Sequence, residues 1–240
     1  MKAIILAAGF GSRLRPLTEA THKSLLPVAG VPIMRRMIDN ILTAGITEVA
    51  IVTGYRAEDV RTFVAATYPA LNAIFIENSQ YEVTNTGYSL LLCRDFAEGS
   101  PFVKFDADVV FESAVLQKLL NDQHDTCLCI DKNIRLESEE VKVICDTNDA
   151  VRSVGKKLNP QEARGESIGI EKIGVEAGSL LFTELDRLMQ DAKNHQEYYD
   201  DSYTTLVAQG VPFFAVDITG LKWVEVDTHT DYQKAQEMFK

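Results

Sequence analysis

Two glycines and two nearby cations follow the first apolar run of the chain, and residues of these types can bind a polyphosphate. Gly9 and Gly11 come directly after the run AIILAA, and Arg13 and Lys23 lie a few residues further on. Glycine lets backbone N–H groups approach a ligand closely, and the two side chains add positive charge. A tight turn beside solvated cations would leave the same pattern. The spacing lacks the third glycine of a dinucleotide fingerprint and the G-K-[ST] of a P-loop, which excludes those two kinds of site.

A pair of acids at the end of another apolar run could hold a metal ion. The stretch FVKFDAD places Asp106 and Asp108 two residues apart. Because strand side chains alternate between faces, both carboxylates are predicted to point the same way at the carboxyl end of a strand. Two close carboxylates suit a divalent cation. The spacing also allows a helix N-cap and a solvated acid ahead of a predicted helix that begins at Ser113.

The elements that position these groups alternate between strands and helices in the first half of the chain. Apolar periodicity and turn residues predict strands at 3–8, 48–53, 73–77 and 101–106, and helices at 32–44, 57–66 and 86–96. Such alternation predicts an α/β fold with a Rossmann-like, mostly parallel sheet and helices on both faces. Ligands are then expected at the carboxyl ends of the strands.

The second half has the character of an α+β fold. Short strands are predicted at 126–131, 141–145, 151–154, 213–216 and 223–226, a hairpin turn at 147–149, and helices at 177–192, 199–209 and 229–239. The stretch WVEVD places Trp223, Glu225 and Asp227 on one strand face and the valines on the other. Without a linker, repeat or low-complexity tract, we expect one domain over residues 1–240.

The amino-acid composition limits the kinds of partner that the protein is expected to bind. A net charge of -11 argues against nucleic acid, which is bound through excess Lys and Arg. No apolar run approaches the ~20 residues of a membrane span, and no basic segment with a cleavage site precedes the first strand, so a cytoplasmic protein that does not bind membranes is expected. The four cysteines lack paired C-x-x-C spacing, which favours reduced core thiols, and the four scattered histidines argue against a histidine metal site.

The whole pattern LAAGFGSRLRPLT, followed by KSLLPV, closely resembles the signature of the NDP-sugar pyrophosphorylases and related cytidylyltransferases. This resemblance implies a GT-A-like nucleotidyltransferase fold whose second half contains the acceptor site. It also implies a reaction in which an acceptor phosphate oxygen attacks the α-phosphorus of a nucleoside triphosphate and pyrophosphate leaves. A phosphate monoester is already a nucleophile at neutral pH, so catalysis then consists of positioning and charge stabilisation.

The resemblance also implies roles for particular residues. Arg13 and Lys23 are the catalytic residues: Arg13 grips the β- and γ-phosphates, and Lys23 stabilises charge on the α-phosphate. Asp108 and Asp227 match the family's Mg²⁺ ligands. The nucleotide-binding residues that it implies are Leu6, Ala8, Gly9, Gly11, Ser12, Arg13, Asn85, Ser89 and Asp106.

One motif limits which nucleotide and which acceptor are predicted. The N-x-x-x-S arrangement of Asn85 and Ser89 is similar to that of bacterial phosphocholine cytidylyltransferases and implies CTP, although helix capping by Asn85 is an alternative. The segments 166–172, 197–201 and LKWVEVDT resemble the same subfamily. The acceptor-binding residues that follow are Glu171, Tyr198, Asp200 and Trp223. Aromatic rings and carboxylates suit a small phosphorylated amine, with phosphocholine favoured; 2-aminoethylphosphonate and another small phospho-alcohol stay open.

Two other functions remain as alternatives. One is a sugar-1-phosphate nucleotidylyltransferase that uses UTP, dTTP or GTP; such proteins often carry further carboxyl-terminal elements, whereas this chain ends soon after Asp227. Glu171 lies where sugar-handling relatives also use a glutamate, and Val109 stands where some relatives carry a polar residue. The other is a nucleotide-binding regulatory protein without turnover. Retention of both catalytic cations and both metal aspartates argues against it. The oligomeric state is not predicted.

Overall fold

A nine-stranded sheet forms the centre of the computed structural model, which describes residues 1–133, 136–137 and 139–240. The strands are β1 (Lys2–Ala7), β2 (Pro27–Val28), β3 (Val31–Pro32), β4 (Val49–Thr53), β5 (Ala73–Glu77), β6 (Phe102–Asp106), β7 (Val109–Phe111), β8 (Cys127–Asp131), β9 (Lys142–Cys145), β10 (Val151–Gly155), β11 (Gly165–Ile173), β12 (Phe214–Asp217) and β13 (Trp223–Glu225). The α-helices are α1 (Leu17–Ala20), α2 (Ile33–Thr43), α3 (Ala57–Thr67), α4 (Thr86–Leu91), α5 (Arg94–Ala97), α6 (Ser113–Asn121), α7 (Val175–Met189), α8 (Tyr199–Ala208) and α9 (His229–Met238). Short 3-10 helices occupy Ser12–Leu14, Lys23–Leu25 and Ala192–Gln196.

The first half of the chain forms the parallel part of the sheet, in the order β5-β4-β1-β6. Strand β1 is covered on both faces, because Ile5 packs in one core cluster with Met37 of α2 and Ile4 packs in another with Leu181 of α7. An uninterrupted apolar run is what such a strand requires. The predicted α/β fold with helices on both faces is therefore confirmed.

Strand β11 was not predicted, although it is the longest strand in the described structure and is buried throughout. It pairs antiparallel with β6, β8 and β9, and so joins the parallel part of the sheet to the α+β second half. Its polar residues break the apolar pattern from which the other strands were predicted. The structure pairs their charges: Glu171 lies 2.8 Å from the Lys104 ammonium, and the Lys172 ammonium donates to the carbonyl of Asp122 at 2.9 Å.

A small layer formed by β7, β13 and α9 brings the end of the chain to the glycine loop. Val110, Val224 and Ala235 share an apolar cluster with Leu14, which follows that loop. Thr228 begins α9 with a capping box, since its hydroxyl accepts from the backbone N–H of the third helical residue. This packing places Asp227 beside the loop. Among the described residues, no helix combines the length and apolar character needed to cross a bilayer.

Candidate active site

The four side chains expected to handle phosphates and metal lie in contact with one another. The ammonium of Lys23 donates to Asp108 Oδ2 at 2.8 Å and also to Asp227 Oδ1, while Nη2 of Arg13 donates to Asp227 Oδ2. We call these residues the ion-pair cluster. Arg13 follows the glycine loop, Lys23 begins the 3-10 helix Lys23–Leu25, and the two aspartates follow β6 and β13, so the cluster joins parts of the chain that are distant in sequence.

Gly11 creates the space in which Lys23 reaches this cluster. Its φ is +60°, and an added Cβ would lie 3.0 Å from the Cβ of Lys23. A side chain here would meet both a strained backbone and the lysine stem. The loop is held in place by the Thr18 hydroxyl, which donates to the Gly11 carbonyl at 2.9 Å. Gly11 therefore serves the packing of Lys23 as well as the approach of a ligand.

The contact between Lys23 and Asp108 favours the charged form of both side chains. Burial disfavours the ammonium of Lys23, but the carboxylates of Asp108 and Asp227 outweigh burial and raise the pKa of Lys23 above its usual value. Burial likewise opposes charge on Asp108, and the ammonium of Lys23 reverses this effect, so the pKa of Asp108 is lowered. Lys23 is 11% exposed as a side chain, whereas Arg13 is 54% exposed. Arg13 is thus the more accessible cation for an incoming triphosphate.

A third carboxylate completes a candidate metal centre. Asp108, Glu225 and Asp227 each offer an oxygen within 4.8 Å of the others. Oδ1 of Asp108 is buried and has no hydrogen-bond partner, so a ligand position stands open at that atom. Loss of water and the charges of Asp108 and Asp227 raise the pKa of Glu225 well above its usual value. Three carboxyl groups offer the all-oxygen ligand set that fits Mg²⁺. Strand alternation places Glu225 on this face, which was the signal for a residue not included in the predicted metal set.

The cluster opens into a cavity of about 750 Å³. We call the lining residues in segments 6–9 and 78–89 the β1 side of the cavity, and the charged or aromatic lining residues in segments 139–166 and 198–200 the β11 side. The β1 side carries neutral residues: Leu6, Ala8, Gly9, Asn78, Tyr81, Thr84, Asn85, Thr86 and Ser89. The β11 side carries many charged or aromatic residues: Glu139, Glu140, Lys156, Glu166, Tyr198, Tyr199 and Asp200. The two sides therefore suit different chemical groups.

Most of the predicted nucleotide-binding residues line this cavity. They are Leu6, Ala8, Gly9, Arg13, Asn85, Ser89 and Asp106. Gly11 lines a smaller adjoining cavity of about 80 Å³ that also contains Lys23 and Asp108, while Ser12 is not among the described lining residues of either cavity. The Asn85 amide is engaged as a helix cap, because its Oδ1 accepts from the backbone N–H of Thr86 at 2.8 Å. This contact is the capping alternative that the sequence left open.

Two of the predicted acceptor-binding residues have partners within the protein. Glu171 is fully buried in β11 beneath the cavity and pairs with Lys104, so in this structure it does not meet an acceptor directly. Trp223 borders the cavity but is only 7% exposed, and its indole N–H donates to Asp131 Oδ2 at 2.8 Å. The indole packs in the apolar core, and the aromatic cage remains a prediction. Tyr198 and Asp200 do line the cavity.

A buried lysine that sequence reasoning missed lies under the β11 side. Lys104 has no exposed surface, and its ammonium lies 3.0 Å from Asp106 and 2.8 Å from Glu171. The Tyr199 hydroxyl donates to Asp106 at 2.5 Å. Gly169 has a φ of +74°, and a Cβ there would overlap Oδ2 of Asp106. A single lysine within the apolar run FVKF was the available signal, since an unpaired buried cation is costly.

Another group of potential ligands lies at the opposite edge of the sheet. His124 Nδ1 is 2.7 Å from Asp122 Oδ1, and the Cys127 thiol donates to the same oxygen at 3.4 Å. These atoms lie within 4.8 Å of one another. Their mutual hydrogen bonds satisfy them in the turn before β8, and we assign them no role in the reaction.

Comparisons with known proteins agree with this geometry. A family model described as nucleotidyl transferase matches residues 2–240. The chain is 32% identical over 256 residues to the CTP:phosphoglutamine cytidylyltransferase of Campylobacter jejuni, with 97% of this chain and 98% of that relative covered. It is 29% identical over 248 residues to the CMP-5'-(3-aminopropyl)phosphonate synthase of Streptomyces rubellomurinus, and it spans 39% of that relative's length while being covered over 100% of its own.

A solved structure supports the fold. The CTP:phosphocholine cytidylyltransferase of Streptococcus pneumoniae superposes with a TM-score of 0.82 and covers 100% of this chain and 99% of its own. The two sequences are 22% identical, so the likeness concerns architecture. It agrees with the nucleotidyltransferase fold expected from the sequence.

Proposed function

The chain belongs to the nucleotidyl transferase family, and on that premise we propose that it transfers a cytidylyl group from CTP to a small phosphorylated or phosphonylated amine, with Mg²⁺ as cofactor. The observation that carries the proposal is the ion-pair cluster, three of whose members line a cavity with one neutral and one charged side. Both curated relatives have names that describe cytidylyl products or transfer. The neutral side suits a base, and the charged side suits an acceptor that carries charge.

The proposed reaction makes one bond and breaks one. An oxygen of the acceptor phosphate or phosphonate attacks the α-phosphorus of CTP and forms a P–O bond. The bond between the α-phosphorus and the bridging oxygen breaks, and its electron pair leaves with pyrophosphate. The nucleophile is already anionic at neutral pH, so a general base is not needed. The protein contributes alignment of the reactants and stabilisation of the developing charge.

Before substrate binds, Lys23 and Arg13 are ion-paired with the aspartates. A bound triphosphate offers oxygens that compete with Asp108 and Asp227 for both cations. Arg13 is more exposed and would turn to the β- and γ-phosphates, while Lys23 sits deeper, below the loop, where the α-phosphate would lie. Exchange of partners keeps both cations paired throughout binding, so their desolvation is not left uncompensated.

The aspartates released by this exchange would hold Mg²⁺ together with Glu225. Their oxygens lie within 4.8 Å of one another, which fits a shared oxygen-ligand site. When bound, Mg²⁺ supplies Lewis-acid neutralisation of phosphate charge. The chain's own part is to present the three carboxylates from rigid positions at the ends of β6 and β13.

The β11 side supports an acceptor with an amino or ammonium group. Oδ1 of Asp200 is buried and without a partner, and the ammonium of Lys156 already lies 4.6 Å from the centre of the Tyr198 ring. The ring face thus accepts a cation in this geometry. Glu139, Glu140 and Glu166 also line this side, so its carboxyl groups outnumber the Lys156 ammonium. Phosphocholine and 2-aminoethylphosphonate both satisfy these conditions; a neutral sugar phosphate satisfies fewer of them.

Pyrophosphate release tests the proposal. Each of CTP, UTP, GTP and dTTP is combined with phosphocholine, 2-aminoethylphosphonate, phosphoglutamine and glucose 1-phosphate in the presence of Mg²⁺. We expect release with CTP and an amine-bearing acceptor, and little with the other pairs. Release with UTP or dTTP and glucose 1-phosphate would instead assign the sugar-1-phosphate function.

A further inference from the structure

One cation on the β11 side of the cavity has no hydrogen-bond partner within the protein. The ammonium of Lys156 lies 4.6 Å from the centre of the Tyr198 ring, and both residues line the cavity. Among the described residues, none supplies a hydrogen-bond acceptor or a carboxylate to this ammonium. The ring attracts the positive charge, whereas the three N–H donors of an ammonium need oxygen acceptors. Lys156 therefore has donors left for an anionic group of a ligand.

The main chain at Lys156 is fixed by contacts on two sides. The ammonium of Lys142, which has no exposed surface, donates to the carbonyl of Lys156 at 2.9 Å. Two residues earlier, the backbone N–H and carbonyl of Val154 are bonded to the Thr204 hydroxyl of α8 at 2.8 and 2.9 Å. These contacts join the end of β10 to the helix that begins at Tyr199. The side chain of Lys156 therefore starts from a defined position in the cavity wall.

An unpaired acceptor lies in the same wall of the cavity. Asp200 is 4% exposed, lines the cavity and has an Oδ1 atom without a hydrogen-bond partner. The first turn of α8, which carries it, packs against the end of β10, since a Cβ added at Gly155 would lie 3.6 Å from Asp201 Oδ1. A free donor on Lys156 and a free acceptor on Asp200 thus border one part of the cavity. Such a pair is complementary to a ligand that carries both a carboxylate and an ammonium.

This part of the cavity is set back from the reacting atoms. Gly155, the neighbour of Lys156, is in register with Lys142 of β9, and Lys142 is in register with Glu166 of β11. Along β11, Glu166 lies three residues, or ~10 Å, before the contact between Gly169 and the end of β6. The phosphorus group of the acceptor must lie at the ion-pair cluster in order to attack CTP. This separation favours contact between Lys156 and a different group of the acceptor.

We infer that the acceptor is a phosphorylated or phosphonylated amino acid and that Lys156 is the specificity-determining residue that binds its carboxylate. The inference rests on the proposed cytidylyl transfer and names the class of acceptor within it. A hydrogen bond between an ammonium and a carboxylate is stronger than one between neutral groups. An amine that lacks the carboxylate would fill the cavity without offering Lys156 an anion, so the ammonium would lose water without gaining a partner.

Two acceptors that differ by a single carboxylate test the inference. They are 2-aminoethylphosphonate and 2-amino-3-phosphonopropionate, and pyrophosphate release with CTP and Mg²⁺ gives kcat/KM for each. Wild type should prefer the carboxylate-bearing acceptor by about tenfold or more. Lys156→Met keeps an apolar stem but removes the charge, so the two kcat/KM values should come within about twofold of each other. Lys157→Met, at the exposed neighbouring lysine, is the control and should keep the wild-type preference.

The outcomes separate this inference from the proposed function. Turnover of UTP or dTTP with glucose 1-phosphate, and of neither phosphonate with CTP, would overturn cytidylyl transfer itself. Equal kcat/KM for the two phosphonates in wild type would overturn only the carboxylate-binding role, and this comparison does not depend on the folding of any variant. A preference that persists in Lys156→Met would also overturn that role. So would an equal loss with both acceptors, since it would place Lys156 at the phosphonate group that they share.

Discussion

The ammonium of Lys23 lies 2.8 Å from Oδ2 of Asp108, although 85 residues separate the two in the sequence. The same ammonium contacts Asp227, so one buried cation joins carboxylates from two parts of the chain. This pairing allows the aspartates and Glu225 to lie close together without severe repulsion. It also explains how the site can exist before substrate arrives: the cation that will meet the triphosphate neutralises the ligands that will meet the metal.

The metal aspartates should matter far more for turnover than for stability. We expect Asp108→Asn and Asp227→Asn each to lower kcat/KM by roughly 100-fold or more at saturating Mg²⁺, because an amide keeps the shape but loses the charge. The free energy of unfolding should change much less, because Lys23 keeps one aspartate partner in each variant. The exposed Asp95→Asn is the matched control. Near-wild-type turnover in either variant would remove that residue from the metal centre.

Substitution of Lys23 and substitution of Arg13 should change the steady-state kinetics in different ways. Lys23→Ala should reduce kcat more than it raises KM for the nucleotide, because its contact strengthens as charge develops on the α-phosphate. Arg13→Ala should raise KM for the nucleotide as well. Losses of ~2–4 kcal/mol in transition-state stabilisation are expected for each. Steady-state kinetics with the exposed Lys193→Ala as control measures this, and identical changes in kcat and KM for both variants would contradict the division of roles.

Substitution of Trp223 should lower the stability of the protein rather than its affinity for the acceptor. Its side chain packs in the core and its N–H is bound to Asp131, so Trp223→Ala should lower the free energy of unfolding by ~3–5 kcal/mol. Trp223→Phe retains most of the apolar contact and should lose less. Urea unfolding measures both variants. If Trp223→Ala kept wild-type stability and selectively raised KM for phosphocholine, the result would support the aromatic cage predicted from the sequence.

Stability should depend on pH through Glu166. Burial, together with the charges of Glu140 and Asp131, raises the pKa of Glu166 to about 7 from 4.5. The folded protein therefore holds a proton that the unfolded chain releases, and stability falls as pH rises between these two values. Glu166→Gln stays neutral, so it should be more stable than wild type by roughly 3 kcal/mol at pH 8 and equal to it at pH 4.

Urea unfolding at a series of pH values checks this prediction, with the exposed Glu162→Gln as the control that should follow wild type. A constant difference between Glu166→Gln and wild type across the whole range would show that ionisation of Glu166 is not the cause. A difference that grows as pH falls would have the wrong sign.

The parallel half of the fold could be predicted because its buried strands are apolar runs in the sequence. The run before Gly9 is apolar throughout, and a strand covered on both faces needs that. Strand β11 gave no such signal, since it contains the buried charged residues Glu171 and Lys172, whose partners, Lys104 and the carbonyl of Asp122, are far away in sequence. Predicted helix 86–96 is in fact two short helices, α4 and α5.

The candidate site was predictable where the residues form a contiguous motif, and less so where tertiary contacts decide. Arg13 and Lys23 lie in one recognisable pattern, and the structure places both beside Asp108 and Asp227. The engagement of the Asn85 amide as a helix cap and the burial of Trp223 depend on neighbours that spacing does not reveal.

Cytidylyl transfer is tested most directly by ³¹P NMR of a mixture of the enzyme, Mg²⁺, CTP and equimolar phosphocholine and 2-aminoethylphosphonate. We expect the acceptor signal of at least one amine to be replaced by a pair of mutually coupled phosphorus signals from a new P–O–P linkage, with pyrophosphate formed in equal amount. Asp108→Asn should leave the spectrum unchanged over the same time. Formation of CDP and inorganic phosphate, or no change with wild type while UTP and glucose 1-phosphate react, would contradict the proposed function.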